Sequence, residues 1–322
     1  MVGKKKETLF ATRQEGAHPI STTVPLPVSA DMRLRSRLAL VLKGLWSVPF
    51  LRDVLCEFVG TALFLFAGLA SVVLWGGAPG SEGGSGLDPA STGAPAAPSS
   101  CLPAPLRVGL AFGSALALVS ACLGPATSAG VHLNPAVTVA MVAGLRAPPW
   151  RAVLYVGAQL LGALSACSLL QELTPPPLRG QRGLTELAPG VCSSQAFSVE
   201  SAVSFLLVLC VVVSARPKSP LRQLGPFAVG LSVVLGHLVA MGVTGCGMNP
   251  ARSFGPALMA QNFHNHWVYW AGPCTGAVLA VAVHDLLLHP RWGCPGDWLA
   301  ELREVVLSDA RQPSRPPERP AE

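Results

Sequence analysis

Arg252 sits inside "GMNPARS" (247–253), at the end of a run from Leu224 to Ala251 that holds no Lys, Arg, Asp or Glu. Its guanidinium carries several fixed N–H donors and a permanent charge. Holding such a group at the centre of a bilayer-spanning segment costs about 2.5–3.5 kcal/mol on the mildest scale, so it persists where it faces a polar path. The triplet before it, Asn249-Pro250-Ala251, has a twin in Asn134-Pro135-Ala136, within "VHLNPAVTVA" (131–140). Asparagine suits a helix N-cap, and proline suits the first helical turn, where its missing N–H costs nothing. Both triplets therefore read as helix starts. One Asn-Pro alone is a turn signal; two at matching places in two apolar halves are a repeat.

The repeat extends upstream. A glutamate opens an apolar segment in each half: Glu57 in "CEFVGTALFLF" and Glu200 in "VESAVSFLLVL". Intramembrane carboxylates relay protons or take up bonds that nothing else satisfies, and both readings stand at this point. The segments "PAVTVAMVAGL" and "PARSFGPALMA" offer roughly 15 Å of helix at about 1.5 Å per residue, too short to cross a bilayer. With an odd number of spans per half, the second half enters from the opposite side, so the two short helices meet end to end near mid-depth. Non-helical backbone leading to them is tolerated only if buried in protein or lining a wet path. Each helix N-terminus carries about half a positive charge, so two facing ones repel any cation between them. The two asparagine amides can meanwhile donate to a passing oxygen. This chemistry fits a path for small neutral molecules that excludes ions.

The elements that would position these groups are spans. Of 322 residues, 50% are hydrophobic and 12% charged. Soluble domains carry about 25% charged residues, so membrane is the implied solvent. Charge-poor stretches recur at Phe58–Trp75, Val108–Leu123, Ala152–Leu170, Ser201–Ala215, Leu224–Val243 and Trp267–Val283, with flanks completing the shorter ones. The expected fold class is all-α: six transmembrane helices plus two re-entrant half-helices in an inverted repeat. The expected division is an N-terminal extension (1–52), a first half (53–171), a connecting loop (172–195), a second half (196–289) and a tail (290–322). The first half includes a long Gly/Pro/Ser-rich outer loop (76–105). Residues 1–30 hold no apolar run of the kind a secretory signal needs.

Most of the 23 Lys and Arg fall before the first span, after the second and fourth, and in the tail. The positive-inside rule then places both termini in the cytoplasm, and the basic balance is a topology signal rather than a nucleic-acid footprint. The nine cysteines form no CxxC pair and no His-partnered set, which argues against metal or haem. Cys101 and Cys192 fall on the expected outer face, where they could pair. No Ser/His/Asp or paired-carboxylate set has catalytic spacing, so an enzyme and a cofactor are not expected. A secondary transporter is disfavoured by the shortage of intramembrane carboxylates beyond Glu57 and Glu200.

Two Asn-Pro-Ala motifs, "TGCGMNPARSFGPA" and "NFHNHWVYWAGP" together resemble the aquaporin (major intrinsic protein) family, from about Leu51 to Trp292 and most closely its water-selective vertebrate branch. The resemblance implies a passive water channel, a homotetramer in a lipid bilayer and a plasma-membrane location. It implies a selectivity filter of Phe112, His237, Cys246 and Arg252, with Cys246 as a mercury-sensitive thiol. It also gives Glu57 and Glu200 a structural role as acceptors for the two re-entrant loops. The approach "GPATSAGVH" departs from the family pattern, with Pro125 added and Ala129 where serine is expected. A glycerol channel would have a small residue at His237 and an aspartate after Arg252, where this chain has Ser253. Anion conduction and a non-conducting junctional role remain open.

Overall fold

A computed structural model describes residues 47–74, 104–175, 183–216, 219–220, 222–290 and 295–308. The basic segment before the first span, most of outer loop 76–105, and Cys101 lie outside the described residues. Among the described residues the regular elements are all helical. They are α1 (Val48–Val73), α2 (Ala104–Leu123), α3 (Pro135–Ala143), α4 (Pro149–Leu173), α5 (Ser193–Ser214), α6 (Gly225–Thr244), α7 (Pro250–Ala260), α8 (Val268–Ala282) and α9 (Pro295–Ser308). A π-helical turn, Val283–Leu288, extends α8.

Six of these helices are long and apolar enough to cross a membrane: α1, α2, α4, α5, α6 and α8 with its extension. Several outrun the charge-poor windows. The first begins at Val48 behind the N-cap Ser47, so Arg52 and Asp53 lie inside it. The fourth begins at Ser193, within the stretch expected to be connecting loop. A charge-free window measures the hydrocarbon thickness, whereas capping residues decide where a helix starts. The short elements α3 and α7 start at Pro135 and Pro250 and run for 9 and 11 residues.

Packing repeats with the sequence. Helices α1, α2 and α4 mirror α5, α6 and α8, and the halves meet along α2 and α6. Each half-helix lies mainly on the other half: α3 packs on α8, and α7 on α4. The close crossings use glycine. A methyl built at Gly113 (α2) would sit 2.5 Å from the Gly230 carbonyl oxygen (α6), one at Gly162 (α4) 2.5 Å from that of Phe58 (α1), and one at Gly276 (α8) 2.1 Å from that of Ser201 (α5). Lipid supplies little hydrophobic drive between helices, so close backbone approach is what holds such pairs. Outward positions are apolar, among them Leu63, Leu118, Leu161 and Leu231. Glu57, Glu200, Asn134, Asn249 and Arg252 lie inside.

Gly276→Ala is therefore expected to destabilise the protein by about 1–3 kcal/mol through overpacking. Gly157→Ala, whose methyl meets nothing within 4 Å, should leave the thermal midpoint in detergent unchanged or slightly raised.

Candidate pore site

The approach to each half-helix is irregular backbone, and each is held by one carboxylate. Glu57 on α1, 1% exposed, accepts from the backbone N–H of His132 (2.5 Å) and Leu133 (2.8 Å) and from Gln159 Nε2 (2.7 Å). Glu200 on α5, fully buried, accepts from Gly247 N (2.8 Å), Met248 N (2.8 Å) and Thr244 Oγ1 (2.6 Å). Both carboxylates are spent on donors that buried backbone would otherwise leave unpaired. They also fix unfavourable geometry: Leu133 and Met248, just before the two asparagines, have φ of 57° and 55°. A non-glycine residue there costs on the order of 1–3 kcal/mol and persists only where its surroundings over-determine it.

The asparagines then lock the halves together. Asn134 Oδ1 accepts from Ala136 N at 2.8 Å, and Asn249 Oδ1 from Ala251 N at 2.9 Å, capping their own helices. Asn134 Nδ2 donates to the Met248 carbonyl at 2.9 Å, and Asn249 Nδ2 to the Leu133 carbonyl at 2.8 Å. Each amide keeps one N–H for a third partner, and both asparagines line the same cavity.

That cavity has a volume of about 570 Å³. It runs from Arg222 and Gln223 past both asparagines to Phe112, His237 and Arg252. There the Phe112 and His237 rings stack at 4.9 Å, and the Arg252 guanidinium carbon lies 5.2 Å from the Phe112 ring centroid. Arg252 Nη1 donates to the Gly183 carbonyl at 2.6 Å, tying it to the connecting segment. His237 Nδ1 donates to the Val233 carbonyl at 2.9 Å, which leaves Nε2 as an acceptor. His237 Nε2 and Arg252 Nε are buried with no hydrogen-bond partner among the described residues. Buried polar atoms are seldom left so, and an acceptor beside a donor suits a small polar permeant.

Phe112, His237 and Arg252 thus come together, and the two triplets meet. Cys246 lies beside this group without reaching the cavity; it is fully buried, with φ of 57°, and its N–H donates to Thr244 Oγ1 at 3.2 Å. Gly247, the next residue, lines the cavity in its place. Cys192 is exposed.

Two further carboxylates are buried within the candidate spans. Asp53 on α1 and Asp285 in the extension of α8 are 1% and 0% exposed. Asp285 pairs with Arg146, in the turn after α3, at 2.5 and 2.9 Å, and with His284 Nδ1 at 2.6 Å. Each aspartate lies within one or two turns of an apolar run, where a charge-poor window ends. Gln159 and Gly183 carried no signal, because a lone amide and a loop carbonyl acquire partners only in three dimensions.

The profile of the Major intrinsic protein family matches residues 44–284. The chain belongs to the major intrinsic protein family. Among its relatives are Aquaporin-2 of Ovis aries, 40% identical over 76% of this chain and 81% of that one, and the lens fiber major intrinsic protein of Ovis aries, 40% identical over 82% and 91%. Aquaporin-5 of Homo sapiens is 39% identical over 77% and 85%. The X-ray structure of the aquaglyceroporin from Plasmodium falciparum covers 75% of this chain and 98% of its own, with a TM-score of 0.60 at 22% identity, a likeness of fold. This major intrinsic protein is a multi-pass membrane protein of a channel family.

Glu200→Gln would set an amide N–H₂ against N–H donors. Each charge-assisted bond lost costs about 1.5–3 kcal/mol, so the variant's thermal midpoint should fall well below that of wild type in detergent. Glu200→Asp, which keeps the charge but shortens the reach, is expected between the two.

Proposed function

We propose that this major intrinsic protein conducts water passively and excludes ions and protons. The observation that carries the reading is the grouping of Phe112, His237 and Arg252 at the end of the cavity, with His237 Nε2 and Arg252 Nε buried and unpartnered among the described residues. Water satisfies an acceptor and a donor at once and is small enough to pass an aromatic wall. The guanidinium charge and the two facing helix N-termini oppose cations and protons. A water held by both asparagine N–H groups turns its own hydrogens outward, which interrupts a proton-conducting chain.

Glycerol is the rival permeant within the fold. His237 fills space that a three-carbon solute would need, and Ser253 stands where the glycerol-conducting pattern has aspartate. The proposal includes a homotetramer in the plasma membrane with both termini cytoplasmic.

Liposomes carrying the protein should pass water much faster than glycerol in stopped-flow measurements. His237→Ala is expected to raise glycerol permeability by about tenfold or more, the discrimination that a few atoms of steric bulk supply. Wild-type protein that already passes glycerol as fast as this variant would reverse the assignment. Mercury is expected to slow water flow in wild type and not in Cys246→Ser. The block should develop slowly, because Cys246 is fully buried and the adjoining Gly245 lies beneath Thr185 and Glu186.

A further inference from the structure

The repeat sets Glu57 against Glu200, so the position one turn earlier pairs Asp53 with Ala196. Ala196 is a fully buried methyl, whereas Asp53 is a carboxylate 1% exposed. The asymmetry matches a difference in what each half must hold. In the second half α6 ends at Thr244, and the approach to Asn249 is short and buried. In the first half the chain from Gly124 to Val131 forms a longer, partly exposed approach. Gly124, Pro125, Ala129, Gly130 and Val131 line the vestibule. A methyl built at Gly124 or Gly130 meets nothing within 4 Å, so open space lies beside the segment.

The bonds inside this segment tie it only to itself: Thr127 N and Oγ1 reach the Gly124 carbonyl at 3.2 and 2.8 Å. Its tie to the helices is Ser128. The Ser128 N–H donates to Asp53 Oδ1 at 3.1 Å, and the Ser128 hydroxyl donates to Asp53 Oδ2. Arg151 on α4 completes the contact, with Nη1 3.7 Å from Asp53 Oδ2 and 3.4 Å from Ser128 Oγ. The Tyr155 hydroxyl stands 3.5 Å from the same carboxylate. Arg151 is itself steadied over the rings of Phe50 and Trp150, at 5.2 and 5.4 Å. Among the described residues, no other hydrogen bond joins Thr127–Val131 to another element.

We propose that Asp53 is a positioning residue for the pore. With Arg151 it pins Ser128 against α1 and α4 and holds Pro125–Val131 clear of the vestibule. The inference rests on the pore reading above. It explains how an approach that departs from the family pattern still borders an open cavity. Without the carboxylate, Ser128 loses both acceptors, the contact with Arg151 is broken, and the segment is free to fold into the space beside it.

The test uses the full chain in liposomes. Asp53→Ala is expected to lower water permeability per protein about tenfold or more, the factor one charge-assisted hydrogen bond carries. Asp53→Asn, which keeps an acceptor for the Ser128 N–H, should fall between Ala and wild type. The pair Asp53→Cys with Ser128→Cys should bridge under oxidant and conduct near the wild-type rate, then lose flow when reduced. Asp53→Ala with wild-type flow, or a cysteine pair that will not bridge, overturns the proposal. A wild-type protein passing neither water nor glycerol would sink the pore reading instead. The tether is then read from maleimide labelling of Ala129→Cys, with the native reactive cysteines replaced by serine. A rate altered by Asp53→Ala supports the tether; an unchanged rate overturns it.

Discussion

Everything at the centre of this protein depends on one crossed pair of hydrogen bonds, Asn134 to the Met248 carbonyl and Asn249 to the Leu133 carbonyl. Each asparagine caps its own half-helix and grips the backbone just before the other. Neither half can shift alone without breaking bonds in both. The bonds are possible only because Leu133 and Met248 accept left-handed backbone. That backbone is held in turn by Glu57 and Glu200, each buried in its own span. An inverted repeat thus produces two interlocked short helices rather than two independent re-entrant loops.

The surrounding helices serve this centre. Glycine crossings bring α1 to α4, α5 to α8 and α2 to α6 close enough to exclude side chains between them, which fixes where Glu57, Glu200, Phe112 and His237 stand. The charges are arranged by the same economy. Arg146 meets Asp285 and Arg151 meets Asp53, while Arg252 donates one N–H to Gly183 and holds Nε buried with no partner among the described residues. Arg146 and Arg151 thus serve the framework.

Much of this was legible in the sequence for a definable reason. The Asn-Pro-Ala triplets and the two glutamates recur at matching places, and a repeat stands out against an apolar background. The half-helices start at the prolines as read, because an N-cap and a first-turn proline are local signals. A hydropathy window treats any charge as an end, so it does not reveal Asp53 and Asp285 as buried groups, although a helix carries paired charges well inside its ends. Gly183 and Gln159 act through partners 69 and 102 residues away in the chain, a relation that no local pattern encodes. The bearing of "GPATSAGVH" on the vestibule was equally out of reach, since it is decided by where Ser128 meets Asp53.

On the proposed function, water passes through a preformed path between the two asparagines rather than through the lipid. The temperature dependence of osmotic shrinkage in protein-bearing liposomes tests it most directly. Flow through the pore should give fast shrinkage with a shallow temperature dependence, close to that of water moving through bulk water. Shrinkage as slow and as steeply temperature-dependent as that of protein-free liposomes, from correctly folded protein, would contradict it.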